Sequence, residues 1–269
     1  MNTEPATTTI LLMGILEGFT EFLPVSSTGH LILAGEILGY AGEESKTFKI
    51  SVQLGAILAV LLLYRERFWA VGTGVLAGNR DALLFTRNIL FGTVPALVIG
   101  VLAYDAVRSA LSSPIIVAPA LILGGIAMLL LDRRRGPGRF ETVEAIPASA
   151  ALLVGILQCL AMVPGVSRSG ASILGALGIG VERKAAAEFS FFLAVPTMMA
   201  ATSYDLYRTR ELLDSDQLVT ILFGCTAAFF TAVVVVRSFV AIVSRFGFAP
   251  FAYYRIVAGA VALAWLGSR

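Results

Sequence analysis

Charged residues are scarce in this sequence: only 14% of its 269 residues are Asp, Glu, Lys or Arg, whereas 57% are hydrophobic. Soluble domains carry about 25% charged residues and about 45–50% apolar ones. A soluble core of this size cannot bury such a surplus of apolar side chains, so lipid must cover much of the surface. The sequence therefore predicts an all-α integral membrane protein.

Basic residues and cysteines are also few, and this argues against several other classes of protein. A net charge of +2, without a basic run interleaved with aromatics, indicates no nucleic-acid partner. The arginines at 133–135 are better explained as a cytoplasmic anchor. No Lys or Arg precedes Lys46, so a secretory signal peptide is not expected. Cys159 and Cys225 stand apart in apolar stretches, which predicts core residues rather than a disulfide or a metal pair.

Six apolar stretches are long enough, at roughly 17–25 residues, to cross a bilayer. They lie near residues 47–64, 87–105, 114–131, 186–206, 217–236 and 248–267. Two further apolar regions, at 10–39 and 149–181, are interrupted by segments rich in Pro, Gly and Ser. Short apolar runs on either side of irregular backbone are typical of re-entrant helix pairs. Residues 66–86 are predicted to be a loop with a short interfacial helix.

The two interrupted regions also resemble each other. At one constant shift along the chain, identical residues align: Gly14 with Gly155, Ser26 with Ser167 and Gly29 with Gly170. A slightly shorter shift aligns residues 89–92 with 221–224. An ordered series of such matches is evidence for an internal duplication.

We therefore predict a single membrane domain, residues 1–269, built from two repeats. The first covers residues 8–131, the second covers 148–269, and a cytoplasmic linker at 132–147 joins them. Each repeat holds one re-entrant pair and three spans. Because three crossings are odd in number, the second repeat enters the membrane with inverted topology. Many transporters have this design, with the working site at the repeat interface near the midplane.

The distribution of basic residues predicts the orientation of the spans. Most Lys and Arg residues fall on one side, in the segments 65–87, 132–146 and 237–247 and at Arg183 and Lys184. The positive-inside rule places that side in the cytoplasm and both termini outside.

Two carboxylates occur within the first interrupted region. Glu17 and Glu21 stand four residues apart, so on a helix they share one face. Burying each one in the bilayer costs about 3 kcal/mol on insertion scales, and the two repel each other. A cationic group must offset that cost. One interpretation is a helix end that reaches the headgroups; the other is a site for a divalent cation, since hard cations bind carboxylate oxygens.

The first break, residues 24–30, follows these acids and carries several hydroxyl groups. Pro24 ends the first short helix, and Ser26 or Ser27 can cap the second. The free N–H groups of that helix start, together with the hydroxyl of Thr28, favour an anion. His30, the only histidine of the chain, stands beside them. A plain capped turn is the alternative, but a histidine next to serines and glutamates favours catalysis.

The second break, residues 164–172, repeats this design and adds Arg168. An arginine within lipid is costly unless it meets an anion, and its guanidinium binds phosphate with a fork of donors. A buried ion pair with Glu17 or Glu21 is the alternative. Three further hydroxyl groups are expected to bind phosphate: Ser167, Ser169 and Ser172. Together the two breaks provide acids, imidazole, hydroxyls, helix N-termini and a guanidinium, a set suited to phosphoryl transfer.

Two motifs make a family resemblance specific. Residues 17–21 have two acids with three residues between them, and residues 164–169 read Pro-Gly-Val-Ser-Arg-Ser. Both resemble motifs of the undecaprenyl-diphosphate phosphatases of the bacitracin-resistance type, and the similarity covers essentially the whole chain, including residues 251–256. The resemblance implies an enzyme of the bacterial plasma (inner) membrane. It would convert undecaprenyl diphosphate to undecaprenyl phosphate and inorganic phosphate, recycling the lipid carrier for cell-wall synthesis.

The resemblance also implies a divalent cation, magnesium or calcium, and a set of site residues. That set is Glu17, Glu21, Ser27, His30, Ser167, Arg168 and Ser169. Ser172 stands where the family usually has threonine, so a hydroxyl is retained there.

The preferred mechanism has Ser27 attack the terminal phosphorus with His30 as its general base. Glu17 and Glu21 hold the metal on the diphosphate, and Arg168 with nearby N–H groups binds the non-bridging oxygens. In two close variants, His30 is itself the nucleophile or activates water. The sequence does not separate these, because each needs the same residues.

The alternative function is a transporter or flippase of a phosphorylated lipid or small anion, because inverted repeats with broken helices are a transporter design. The histidine beside paired carboxylates and a serine favours hydrolysis, since transport needs only binding groups. The polyprenyl tail must stay in the lipid bilayer, so the diphosphate enters between spans or dips in from the headgroups. We expect the site to open toward the periplasm. The sequence is compatible with a homodimer but does not determine the oligomeric state.

Overall fold

The computed structural model describes residues 6–40, 42–132 and 138–268, and the secondary structure of these residues is almost entirely helical. Within these described ranges, six helical segments are long and apolar enough to cross a membrane: Glu43–Leu63, Arg80–Leu102, Pro114–Asp132, Arg183–Arg208, Ser215–Phe246 and Ala249–Gly267. All six coincide with predicted spans. They expose large apolar side chains such as Leu123 and Phe230, as expected of helices that face lipid. The chain is thus an all-helical, multi-pass membrane protein.

Thirteen α-helices follow one another in the described residues. They are α1 (Thr7–Thr20), α2 (Ser27–Leu38), α3 (Glu43–Ser51), α4 (Gln53–Leu63), α5 (Arg65–Leu76), α6 (Arg80–Leu102), α7 (Tyr104–Ala110), α8 (Pro114–Asp132), α9 (Ala148–Gln158), α10 (Arg168–Gly178), α11 (Arg183–Arg208), α12 (Ser215–Phe246) and α13 (Ala249–Gly267). Short 3₁₀ turns, Cys159–Met162 and Arg210–Leu212, follow α9 and α11.

Two spans are longer than predicted. α6 begins at Arg80 because the side chain of Asn79 caps it and accepts hydrogen bonds from the first backbone N–H groups. α12 continues past Arg237 to Phe246, where Gly247 ends it with a positive φ. The predicted span stops just before Arg237, but a long basic side chain reaches the membrane edge without ending its helix.

Several smaller predictions can be compared with the helices. α5 occupies the segment predicted to contain a short helix, and none of its residues is buried. Residues 133–137, which include the predicted arginine anchor and part of the linker, lie outside the described residues. Cys159 and Cys225 are free thiols in the structure, and both are partly buried.

The two interrupted regions fold as pairs of short helices, α1 with α2 and α9 with α10. α1 packs against α12, and α9 packs in the same way against α6. α2 and α10 both contact α8, which in turn packs along α13. This arrangement brings the two breaks to the same place in the helix bundle.

Glycines allow the short helices to approach their neighbours closely. A Cβ atom on Gly14 of α1 would lie 2.4 Å from the carbonyl oxygen of Gly224 in α12. A Cβ atom on Gly155 of α9 would lie 2.6 Å from the carbonyl oxygen of Gly92 in α6. Any larger residue would push these helix pairs apart.

Candidate active site

Each break holds one serine in a backbone conformation that L residues rarely adopt. Ser26 has a φ of 72° and Ser167 a φ of 80°, and no other non-glycine residue of the described ranges has a positive φ. Such conformations cost about 1–3 kcal/mol and cluster at functional sites. Each serine caps the helix that follows: its Oγ accepts a hydrogen bond from the N–H of Gly29 (3.3 Å) or Gly170 (3.0 Å). Ser26, rather than Ser27, is therefore the cap of α2.

The N-termini of α2 and α10 lie side by side. The Ser169 hydroxyl donates to the carbonyl oxygen of Leu23 at 2.9 Å, and its Oγ is 3.0 Å from the Oγ of Ser167. Gly29 and Gly165 are so close that a Cβ atom on Gly29 would lie 3.3 Å from the Gly165 Cα. The first N–H groups of a helix have no intrahelical acceptor and carry the positive end of its dipole. Two such ends together form a seat for an anion.

Ser27, the first residue of α2, donates its hydroxyl hydrogen to Oε2 of Glu21. The other oxygen of Glu21, Oε1, accepts a hydrogen bond of 2.9 Å from Nη2 of Arg168. Both partners of this ion pair are largely buried. It is the buried pair that the sequence leaves open as an alternative partner for Arg168. Ser27 therefore contacts a carboxylate that can take its proton, and a guanidinium lies next to both.

Ser190 of α11 holds Arg168 in this place. Nη1 of Arg168 donates to the carbonyl oxygen (2.8 Å) and to Oγ (3.1 Å) of Ser190. The Ser172 hydroxyl donates to the same Oγ at 2.8 Å. Ser172 is fully buried, so it supports Arg168 through Ser190. Nε of Arg168 is buried and has no partner, which leaves it available to a ligand.

The ring nitrogens of His30 contact groups other than Ser27. Nδ1 lies 2.8 Å from the carbonyl oxygen of Ser26, and Nε2 lies 2.7 Å from the hydroxyl of Tyr254 in α13. A carbonyl oxygen only accepts, so Nδ1 carries the proton in the neutral ring and Nε2 accepts from the tyrosine. Tyr254 also stacks on the imidazole, with ring centroids 5.6 Å apart. His30 thus stabilises the strained turn at Ser26 and connects it to α13.

Glu17 is fully buried, and neither of its carboxylate oxygens has a hydrogen-bond partner. Its carboxyl group lies beside that of Glu21. Two buried, adjacent carboxylates require a proton or a cation. In the part of the chain that the structure describes, no group of three or more His, Cys, Asp or Glu side chains could hold a metal ion. Partnerless carboxylate oxygens such as those of Glu17 are of the kind that hard divalent cations bind.

A cavity of about 440 Å³ contains the reactive groups. Six of the predicted site residues line it: Glu21, Ser26, Ser27, Thr28, Ser167 and Arg168. The other four are not part of this lining: Glu17, His30, Ser169 and Ser172. Ser190 and Tyr254, which position Arg168 and His30, have no signal in the sequence beyond the likeness of residues 251–256 to the family.

The same cavity continues to a second polar end along an apolar wall. Residues 96–101 of α6 supply part of that wall, and the far end includes Lys49 and Arg108. Arg108 donates to Oδ1 of Asp205 at 2.5 Å, and the Tyr104 hydroxyl donates to the same oxygen at 2.7 Å. Burial and this hydrogen bond raise the pKa of Tyr104 to about 12, so its hydroxyl stays a donor. The cavity suits an amphipathic ligand with an anionic head.

Comparison with known proteins gives matches along nearly the whole chain. The model of a family described as bacitracin resistance protein BacA matches residues 10–261. An undecaprenyl-diphosphatase of Sphingopyxis alaskensis is 60% identical over 258 residues, which cover 96% of this chain and 97% of that protein. An undecaprenyl-diphosphatase of Rhizorhabdus wittichii is 54% identical over 262 residues, with 97% of each chain covered. One of Novosphingobium aromaticivorans is 50% identical over 265 residues, covering 97% of this chain and 98% of that protein.

Proposed function

Because this chain belongs to the bacitracin resistance protein BacA family, we propose that it hydrolyses undecaprenyl diphosphate to undecaprenyl phosphate and inorganic phosphate. The observation that carries the proposal is the Ser27 hydroxyl, bonded to Glu21 and placed between two helix N-termini beside Arg168. The diphosphate fits the end of the cavity that Ser27 and Arg168 line, and the polyprenyl tail fits its apolar wall. The enzyme returns the lipid carrier to cell-wall synthesis.

The geometry supports a two-step transfer through Ser27. Its Oγ forms a bond to the terminal phosphorus, and its proton passes to Oε2 of Glu21. The bond from phosphorus to the bridging oxygen breaks, and its electron pair leaves on undecaprenyl phosphate. Arg168 and the N–H groups of both helix starts stabilise the charge on the non-bridging oxygens.

Water completes the cycle at the same carboxylate. Its oxygen attacks the phosphorus of phosphoserine 27, and the bond from phosphorus to Oγ breaks. Glu21 returns its proton to the departing Oγ of Ser27 and takes one from the water in exchange. Inorganic phosphate leaves, Glu21 releases its remaining proton to solvent, and both the free serine and the carboxylate are restored.

A divalent cation, magnesium or calcium, is proposed to bind the orphaned oxygens of Glu17 next to Glu21. When bound, the cation supplies positive charge to the diphosphate. Phosphate release from undecaprenyl diphosphate by purified protein, with and without a chelator, tests both proposals. We expect release that a chelator suppresses and added cation restores. If no phosphate is released at any cation concentration, the proposed function is refuted. If phosphate release does not change with chelator, the proposed cation requirement is refuted.

His30 has a different role in this mechanism from the one first predicted. Since its nitrogens contact Ser26 and Tyr254, we assign the base to Glu21 and make His30 a positioning residue. An asparagine side chain can also donate to the Ser26 carbonyl. We therefore expect His30→Asn to lower kcat about tenfold. The fall of the rate toward acid pH should persist in this variant, because the general base is retained. If a normally folded His30→Asn variant no longer loses activity at acid pH, His30 rather than Glu21 is the general base.

The paired helices are proposed to be re-entrant and to belong to two inverted repeats. Two reciprocal features support this. The aligned serines, Ser26 and Ser167, share their positive φ and their capping bond. The aligned glycines also exchange partners between the halves: Gly14 of the first half meets Gly224 of the second, and Gly155 of the second meets Gly92 of the first. A duplication with inverted topology accounts for both.

We further propose that the cavity opens to the periplasm across the inner membrane. Its second polar end, away from Ser27, includes Arg108, on the side that the basic residues predict to be external. A cysteine at Val107, which lines the cavity, should react with a membrane-impermeant thiol reagent in spheroplasts, in a chain lacking Cys159 and Cys225. The control, Gly72→Cys in α5, should react only in inverted vesicles. The reverse pattern would contradict the orientation, and labelling of Val107→Cys from both sides would favour the transporter.

A further inference from the structure

Arg255 of α13 is fully buried within a membrane span. A charged side chain at that depth is costly and needs a partner. None of the ion pairs in residues 6–40, 42–132 and 138–268 includes it. Its guanidinium must therefore be stabilised by groups without formal charge.

Carbonyl oxygens of both breaks are its partners. Nη1 donates to Pro24 of the first break at 2.9 Å. Nη2 donates to Gly165 at 3.0 Å and to Val166 at 2.9 Å in the second break. Irregular backbone inside a membrane has no water to satisfy its carbonyl groups, so a protein donor must do so. The Arg255 side chain thus donates hydrogen bonds to backbone carbonyl oxygens in the breaks of both halves.

The same guanidinium also reaches α8. Its Nη2 donates to the carbonyl oxygen of Ala120 at 3.2 Å, and its Nε to that of Leu121 at 3.3 Å. Space for it exists because residue 124 is glycine: a Cβ atom on Gly124 would lie 2.0 Å from Nη2. Only arginine offers five donors in a rigid plane, whereas lysine has three on a single atom.

We infer that Arg255 is a positioning residue that joins the two breaks to each other and to α8. It holds the Ser27 turn and the Arg168 turn at the separation that phosphoryl transfer requires. The catalytic consequence rests on the proposed function; the structural consequence does not. An arginine that merely stabilised the fold would affect the whole helix bundle rather than the two breaks.

Three variants test this inference. Arg255→Lys removes N–H donors from the side chain. Gly124→Ala keeps the guanidinium but displaces it from its position. Gly178→Ala is the control, because its added Cβ atom meets nothing within 4 Å. Hydrogen–deuterium exchange of purified protein should quicken in peptides of the first and second breaks for Arg255→Lys and Gly124→Ala, and stay unchanged in α12. Exchange in Gly178→Ala should match the original protein.

Kinetics provide the second readout. Misplacement by about 1 Å costs roughly 100-fold, so we expect kcat to fall about 100-fold in Arg255→Lys and Gly124→Ala. KM should change by less than about threefold, since the tail-binding wall is untouched. Faster exchange throughout the protein, or unchanged exchange at both breaks, would overturn the inference. If Arg255→Lys does not fold, Gly124→Ala decides. The exchange result stands even where no hydrolysis is found, which separates this inference from the proposed function.

Discussion

Replacement of Ser27 by alanine is expected to reduce hydrolysis of undecaprenyl diphosphate about 10⁴-fold. The change removes the attacking oxygen, and the loss of a nucleophile from a cooperating group of residues costs nearly all of their joint effect. Ser27 is buried at the start of α2, and its hydroxyl bonds to the Glu21 carboxylate. Phosphate release in single-turnover and steady-state assays measures the effect.

A matched control isolates the chemistry from any change in folding. Ser238→Ala removes an exposed hydroxyl that bonds within α12, far along the chain from both breaks. It should retain full activity, and both variants should elute from size exclusion as the original protein does. More than about a tenth of the original kcat in Ser27→Ala would show that water, rather than Ser27, attacks the phosphorus.

Glu21→Gln is expected to lower kcat about 10³-fold, because removal of a general base costs about 10²–10⁴-fold. Glutamine keeps the shape of the side chain but cannot accept the serine proton. It also removes the negative charge that holds Arg168 in the ion pair. The freed guanidinium can then meet the substrate phosphate, so KM should stay the same or fall. Steady-state kinetics with undecaprenyl diphosphate measures both parameters.

Glu66→Gln is the control for this substitution, since Glu66 is exposed on α5 and, among the residues that the structure describes, pairs with Arg65 alone. It should behave as the original protein. A large rise in KM for Glu21→Gln with an unchanged kcat would mean that the carboxylate only binds the headgroup. Aggregation of Glu21→Gln would instead show that the Glu21–Arg168 pair is needed for folding.

The spans and the breaks could be predicted because their signals are local. Length and hydropathy predict the six spans, and Pro24 with the serines after it predicts the turn before α2. Pairwise contacts were less predictable. His30 stands beside Ser27 in the sequence, yet its ring faces Tyr254, which arrives from α13. Contacts between elements far apart in the chain leave no trace in one sequence.

Other site residues show the same limit. Ser169 and Ser172 were predicted to bind phosphate, and their motif indeed begins a helix at the site. Their hydroxyls point to Leu23 and Ser190, because α10 turns them away from the cavity. Arg255 is a basic residue within an apolar stretch of the sequence. Its five carbonyl partners could be found only once both breaks had been placed.

In the proposed duplication, only one half carries the acids of the site. Gln158 stands at the position that aligns with Glu17, and its Nε2 donates to the Gly92 carbonyl oxygen at 2.6 Å. The first half therefore contributes the carboxylates and Ser27, while the second contributes Arg168. Neither half alone contains a complete site. Charges of opposite sign meet where the two breaks join, and this arrangement suits a single substrate phosphate between them.

Trapping of the covalent intermediate tests the central claim most directly. Purified protein would be mixed with undecaprenyl diphosphate labelled in its terminal phosphate, quenched within one turnover at neutral and at acid pH, and mapped by peptide mass spectrometry. The account predicts an acid-stable phosphate on Ser27, absent from Ser27→Ala. Phosphate on His30, or release of inorganic phosphate without any phosphorylated residue, would contradict it.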